Sequence, residues 1–397
     1  MTTPSPSAST TPRGDILVHV LGRTDVGRTR EHNEDSFLVA DLTTGSVSEQ
    51  AESVSYPLGP RGALFMVADG LGGAAAGEIA SGMAVDVVLQ ELRRTWVSAS
   101  GTNPDTFAHT LKKACEAANA RIYEYAMKNP DHRGLGTTAT IAGLLGDTLY
   151  LVQVGDSRAY IVRGGVAQQI TKDQSLMQRL IEAGELTPEE AEQSERRNII
   201  LQALGPEPAV KIDLTHQPVR RGDLLVLCTD GLSGQVRKEE IAQIASRERD
   251  LTAAGQALID RANENGGPDN ITVVIAHLEG DGLLPPGEGD VVGHSVFQLQ
   301  SATPSTPLAP LRRITGKMRS VVSPADAPVD EDATPAQRAW ASRWNQLLLI
   351  ALAAALVLAL LAFLYVHLRG AVSRDAAPPA SAVDSAAGGS SADRNEE

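Results

Sequence analysis

Four aspartates stand where apolar runs begin or end. LFMVA leads into Asp69, LYLVQVG into Asp156 and LLVLCT into Asp230, while Asp269 lies just before ITVVIA. Each run is β-rich, so each carboxylate falls at a strand terminus, where the chain turns. Gly70 and Gly231 follow two of these acids and Gly155 precedes a third; glycine lets backbone approach a ligand closely. One Asp-Gly alone is an ordinary turn. Several carboxylates gathered together repel and raise one another's pKa, a cost that a hard divalent cation removes. An all-oxygen set without a His or Cys cluster suits Mg²⁺ or Mn²⁺ rather than zinc.

A second group, Arg30 to Ser36 (REHNEDS), sets a cation beside the acids Glu34 and Asp35. A guanidinium can hold two phosphate oxygens in a fork; taken alone, the segment also reads as an exposed charged turn. The glycine-rich stretch Gly70 to Gly77 has P-loop spacing over Gly72 to Gly77, but Glu78 and Ile79 stand where Lys and Ser/Thr are required. That excludes a Walker-type nucleotidase, and the dinucleotide fingerprint fails in register.

The elements that must position these residues can be read from periodicity. Ala75 to Arg94 gathers Ile79, Met83, Val87, Ala80, Ala84 and Val88 on one helical face. Phe107, Leu111, Cys115, Ala118 and Ile122 do the same for a second helix. Thr138 to Leu145 and Thr148 to Gly155 are strand-like and join at Gly146-Asp147, a hairpin signal. Arg158 to Arg163 continues the meander, and 63–68, 223–229 and 271–277 are further strands. Long helices among antiparallel strands predict an α+β sandwich with helices outside the sheets.

The chain has 397 residues, 42% hydrophobic and 21% charged, with a formal net charge of −14. That acidity argues against nucleic-acid binding, which needs clustered Lys and Arg, but a bound cation can reverse the sign locally for a phosphorylated substrate. Cys115 and Cys228 lie in apolar runs and read as buried thiols of a reducing compartment. Residues 1–14 are a polar tail without an apolar h-region, and 15–279 carry the globular periodicity. Residues 280–346 read as a Pro/Ser/Ala-rich flexible linker. Leu347 to Leu368 runs 22 residues without a formal charge, long enough at about 1.5 Å per residue to cross a membrane, and 369–397 form a short polar tail. Arg338 and Arg343 precede the span, with Arg312, Arg313, Lys317 and Arg319 further upstream, against Arg369 and Arg374 after it, a mild bias for a cytoplasmic N-terminal side.

Together the segments RTREHNEDSF, FMVADGLGG with AGEIAS, GLGTTAT, VGDSRAYI, TKDQSL, RRNIILQALG, LLVLCTDGLS and GGPDNITVV resemble the metal-dependent type 2C (PPM) Ser/Thr protein phosphatases in their bacterial, membrane-anchored form. The likeness runs from Leu21 to His277 in order and spacing. It implies a central antiparallel β-sandwich flanked by helices on both faces, in α-β-β-α layers, with a two-metal Mn²⁺ or Mg²⁺ centre at one edge. Asp69 would bridge the metals, the Gly70 carbonyl would bind one, and Asp230 and Asp269 would hold the other. Glu34 would act through coordinated water, and Asp156 with Asp230 would take a third ion. Arg30 would bind phosphate, Asp35 and Asn270 would support the ligands, and residues 171–205 would form a flap. The expected substrates are phosphoserine and phosphothreonine proteins, a Ser/Thr kinase among them, met at the inner face of a bacterial cytoplasmic membrane. A catalytically weak module that only binds phosphoproteins is the competing expectation. The chain departs from the family pattern where Leu71, Ala74 and Gln174 replace frequent histidines and Ser194-Glu195 replaces a frequent His-Pro, so no side chain is assigned as proton donor; metal-bound water is the expected donor, and His32 reads as a solvated turn residue.

Overall fold

The computed structural model of the chain describes residues 14–48, 53–132, 134–248 and 250–299. The expected N-terminal tail lies outside the described residues but for Gly14. So do the span at 347–368, the tail after it and the linker beyond 299. Among the described residues no helix is long and apolar enough to cross a membrane.

Two antiparallel sheets pack face to face. The first takes β1 (Leu17–Asp25), β4 (Val54–Pro57), β9 (Arg158–Arg163), β10 (Val166–Gln169), β12 (Asp223–Cys228) and β13 (Ile271–Glu279) in the order β10-β9-β12-β13-β1-β4. The second takes β2 (Asp35–Asp41), β3 (Val47–Ser48), β5 (Ala63–Leu71), β7 (Ala139–Leu145), β8 (Thr148–Val154) and β11 (Asp213–Pro218) in the order β11-β8-β7-β5-β2-β3, with β6 (Gly136–Thr137) on the end of β5. Val18, Val20, Phe65, Val67, Leu151, Leu225, Val274 and Ala276 fill the space between them. Strand alternation sends the other residues outward, so each sheet needs a helical cover.

Helices α1 (Ala74–Leu92) and α2 (Pro104–Lys128) cover the second sheet. The α2 start is written locally: Asn103 accepts the Thr106 N–H, Pro104 takes the first turn, and Asp105 favours the dipole. Its apolar stripe, Phe107, Leu111, Cys115, Ala118 and Ile122, is buried as the periodicity predicts. A Cβ at Gly143 would strike Phe107 and Leu111, so glycine in β7 lets α2 settle onto the strand. The other sheet is covered by α6 (Lys238–Arg247) and α7 (Leu251–Glu264), which bury Ile241, Ala242, Leu258 and Ile259 against Leu21, Val273 and Ile275. Short helices α3 (Leu176–Glu182) and α4 (Pro188–Glu192) lie in the expected flap, and α5 (Asp230–Ser233) follows β12. The layers are therefore helix, sheet, sheet, helix.

One boundary differs from the sequence reading. Residues 280–299, expected as linker, dock on the domain. Leu283 is buried in the inter-sheet core. The Phe297 N–H donates to Leu214 O, the His216 N–H donates to Ser295 O, and the Phe297 ring meets Tyr150 and His216 edge-on. Arg220 grips Asp290 through Nε and Nη2 at 2.8 and 2.7 Å. A polar, Pro-containing segment can dock in this way because its backbone supplies the missing partners of the β11 edge.

Candidate metal centre

The sheets bring the acids together at one end of the sandwich. Register places Asp35 directly opposite Asp69, an unfavourable like-charge pair in an ordinary sheet. Asp230 opens α5 after β12, Asp156 follows β8, and Asp269 precedes β13, which pairs with β12. Burial comes first and neighbouring charge second in shifting these groups. Asp69 is held well above the carboxylate range by burial and then by Asp35, Asp230, Asp156 and Asp269. Burial and Asp269 raise Asp230, against a hydrogen bond shared with Asp69. Burial and Asp230 push Asp156 up to about 8. Burial takes Asp35 up to about 7, although Thr272 and Thr229 hydrogen bonds oppose it.

Every sequence-predicted site residue falls in this region, and local bonds fix several of them. Thr138 Oγ1 accepts the Asp69 N–H, and the Asp69 carbonyl accepts from Thr137 Oγ1 and the Thr138 N–H, so the β5 end cannot swing. Gly70 donates its N–H to Glu34 O. A Cβ on Gly70 would run into the Gly77 and Glu34 backbone, and one on Gly77 into the Glu34 carboxylate. Those glycines are what allow the Glu34 side chain to lie against the turn. Asn270 is the hub of the opposite wall: Oδ1 accepts the Glu34 N–H while Nδ2 donates to Val26 and His32 carbonyls. Arg30 donates from Nη2 to Asp269 Oδ2 at 2.8 Å at the rim. The half-exposed guanidinium has further donors available for an anion.

Several contributors escape sequence reasoning. Thr138 also bonds Ser157, and Thr140 and Gln153 tie Ser157 and Gly155 down under the Asp156 turn. Arg158, beside Asp156, forks onto Asp173 at the root of the flap. A hydroxyl or amide within a strand looks like routine alternation, which is why no signal marked these. Gln174, where the family pattern favours histidine, accepts the Gly155 N–H and donates to Lys211 O, so it fastens the flap base. Leu71 ends β5, and His32 contributes its carbonyl from an exposed turn.

The donor chemistry fits divalent cations. Asp35, Asp156 and Asp230 each leave Oδ1 buried without a hydrogen-bond partner, a costly arrangement that a cation relieves. Among the described residues no three His, Cys, Asp or Glu side chains already close on one point. Hard ions do not require that, since Mg²⁺ keeps several waters and takes one or two carboxylates, with the Gly70 carbonyl within the same turn.

Comparison with known proteins agrees. The family model "Protein phosphatase 2C" matches residues 53–272. The serine/threonine phosphatase Stp of Listeria monocytogenes is 35% identical over 262 residues, 66% of this chain and 96% of that protein. The Mycobacterium tuberculosis phosphatase PstP is 36% identical over 267 residues, 67% of this chain and 46% of PstP. Among solved structures, the Streptococcus agalactiae serine/threonine phosphatase superposes with TM-score 0.58 at 33% identity, covering 66% of this chain and all of that one. The PstP catalytic domain, solved with two manganese ions, gives TM-score 0.54 at 34% identity, covering 66% and 99%.

Proposed function

The chain belongs to the protein phosphatase 2C family and is a protein serine/threonine phosphatase, and from that premise we propose that the carboxylate end of the sandwich hydrolyses phosphoserine and phosphothreonine at a two-metal Mn²⁺ or Mg²⁺ centre. The observation that carries this reading is the convergence of Asp69, Asp156, Asp230 and Asp269 on one another, with three buried oxygens of the region unpartnered.

Asp69 and the Gly70 carbonyl would hold one ion, Asp230 and Asp269 the other, and Glu34 would act through coordinated water. Asp156 with Asp230 forms a further ligand pair. Bound there, the ions supply Lewis-acid polarisation and a water acidic enough to act as nucleophile near neutral pH. Arg30 binds the equatorial phosphoryl oxygens and stabilises their charge during in-line displacement. No side chain has to form a phosphoenzyme, and Cys115 and Cys228 are both buried.

Beyond the described residues, the proposal keeps the 347–368 segment as a single membrane span, with the catalytic domain on the cytoplasmic side of a bacterial inner membrane. Phosphorylated proteins, a Ser/Thr kinase among them, are then its substrates there. Hydrophobicity of that segment and the flanking arginines support this.

The test is Mn²⁺-dependent phosphate release from a phosphothreonine peptide by the full chain and by Asp69→Asn. The parent should turn over and the variant should lose at least about 100-fold, the scale of removing one principal charge-stabilising group. Binding of the peptide without release by the parent would instead favour the module that only recognises phosphoproteins.

A further inference from the structure

Asp156 brings its carboxylate to the centre from the turn between β8 and β9, outside any strand. Its Oδ1 is buried without a hydrogen-bond partner, so the backbone of the turn, not a neighbouring side chain, aims that oxygen. The preceding residue, Gly155, gives both of its polar groups to Gln174. Its N–H donates to Gln174 Oε1 at 3.0 Å, and its carbonyl accepts the Gln174 N–H at 2.8 Å. Gln153 Nε2 donates to the same carbonyl at 3.1 Å. Gly155 has φ +99°, and a Cβ there would strike Thr138, so the turn is packed as well as bonded. Gln174 is itself fixed from the other side. Its carbonyl accepts the Leu201 N–H at 2.8 Å, and its Nε2 donates to Lys211 O at 3.2 Å. Lys211 donates its N–H to Gln202 Oε1 at 2.9 Å, and Ser175 pairs with Ile200. The two ends of the 171–205 segment therefore close on one another through the residue that clamps Gly155.

From this geometry we propose that Gln174 is a positioning residue for the phosphatase reaction: its amide holds the Gly155 peptide, and thereby the Asp156 carboxylate, in place beside Asp230. The inference rests on the phosphatase reading, in which Asp156 and Asp230 form a further ligand pair. An outer partner that orients a ligand is worth about 10- to 100-fold in metal affinity or activity. A primary amide suits the role, because it accepts and donates at once and adds no charge beside the acids. Methionine has much the same reach with neither group. Because the same side chain bonds Lys211 O, the aim of Asp156 depends on how the segment 171–205 is seated. Gln174 is 19 residues from the glycine that it clamps, so no local spacing marks it.

The experiment uses the full chain, titrated with Mn²⁺ while the electron paramagnetic signal of the free ion is followed. Asp156→Asn identifies the equivalent that the Asp156–Asp230 pair holds. Gln174→Met should weaken that same equivalent about tenfold and leave the others at parental affinity. In peptide turnover, Gln174→Met should add no further loss of kcat once Asp156 is already replaced by Asn, the non-additivity of residues that act as a unit. In the chelated chain, the Gly155 amide should be protected from hydrogen exchange in the parent and about tenfold less protected in Gln174→Met. Parental affinity for every equivalent in Gln174→Met, or an equal loss of kcat in both backgrounds, overturns the proposal. So does an unprotected Gly155 amide in the unmodified chain, a measurement that stands even where the variant fails to fold. A parent that releases no phosphate with Mn²⁺ would instead count against the phosphatase reading, on which the exchange result does not depend.

Discussion

Arg30 shows how one side chain can serve two partners. It holds Asp269 at 2.8 Å, yet a guanidinium has five donors in a planar fork. If it binds phosphate, Arg30→Ala should lower kcat/KM about 10- to 100-fold, the worth of a charge-assisted hydrogen bond. Arg30→Lys should recover only part, since a point charge cannot fork. The concentration of Mn²⁺ needed for half-maximal rate should not rise, because deleting a cation beside carboxylates favours metal. A raised Mn²⁺ requirement with unchanged kcat/KM at saturating metal would make Arg30 a positioning residue for Asp269 instead. At this scale the sequence was informative about the acids, which stand beside glycines at strand ends. It was silent about the Arg158–Asp173 fork and the Thr138–Ser157 bond, whose partners are 15 and 19 residues apart and meet only in the folded sheet.

Elements were legible where a period ran long enough. The helical stripes of α1 and α2 and the hairpin at Gly146 are found where read. The short helices α3, α4 and α5 give too few turns for a period, and α7 carries Gly255 in its middle, so these went unread. The segment 280–299 was misread for another reason: composition reports unfavourable folding entropy but not a vacant strand edge nearby. Its anchor is ionic at one point. Arg220 holds Asp290 down to about 2, through the hydrogen bond first. For a carboxylate depressed in the fold, the stabilisation is present above the ordinary value near 4 and is lost as pH falls towards about 2. Hydrogen exchange at the His216 and Phe297 amides should therefore quicken, relative to intrinsic rates, between pH 5 and pH 3. Asp290→Asn should already exchange quickly at pH 5; protection equal to the parent would show that the aromatic contacts suffice without the ion pair.

For the whole molecule, the carboxylate end is an electrostatic load that the rest of the sandwich must carry. Two sheets and their helical covers form a core large enough to bury Asp69, Asp35, Asp156 and Asp230 near enough to repel one another, and the load depends on pH. These acids sit above their ordinary values in the fold, chiefly through burial, with Asp35 near 7 and Asp156 near 8. A raised carboxylate favours folding while protonated. That contribution is complete below the unfolded value near 4 and lost as pH climbs through the folded values, because the native state binds more protons there. The chelated full chain should therefore lose thermal stability between pH 5 and pH 8.5. Mn²⁺ should act in the opposite sense, since metal binds the ionised carboxylates and its affinity rises with pH. A thousandfold excess over Kd adds about 4 kcal/mol, so the gap between loaded and chelated protein should widen steadily from pH 5 upward. Asp156→Asn separates the cluster from other titrating groups, because it removes a charge without removing bulk and should flatten the chelated curve. Equal melting temperatures of the chelated parent at pH 5 and pH 8.5, unaltered by that substitution, would mean that water reaches these carboxylates freely and that they impose no load on the fold.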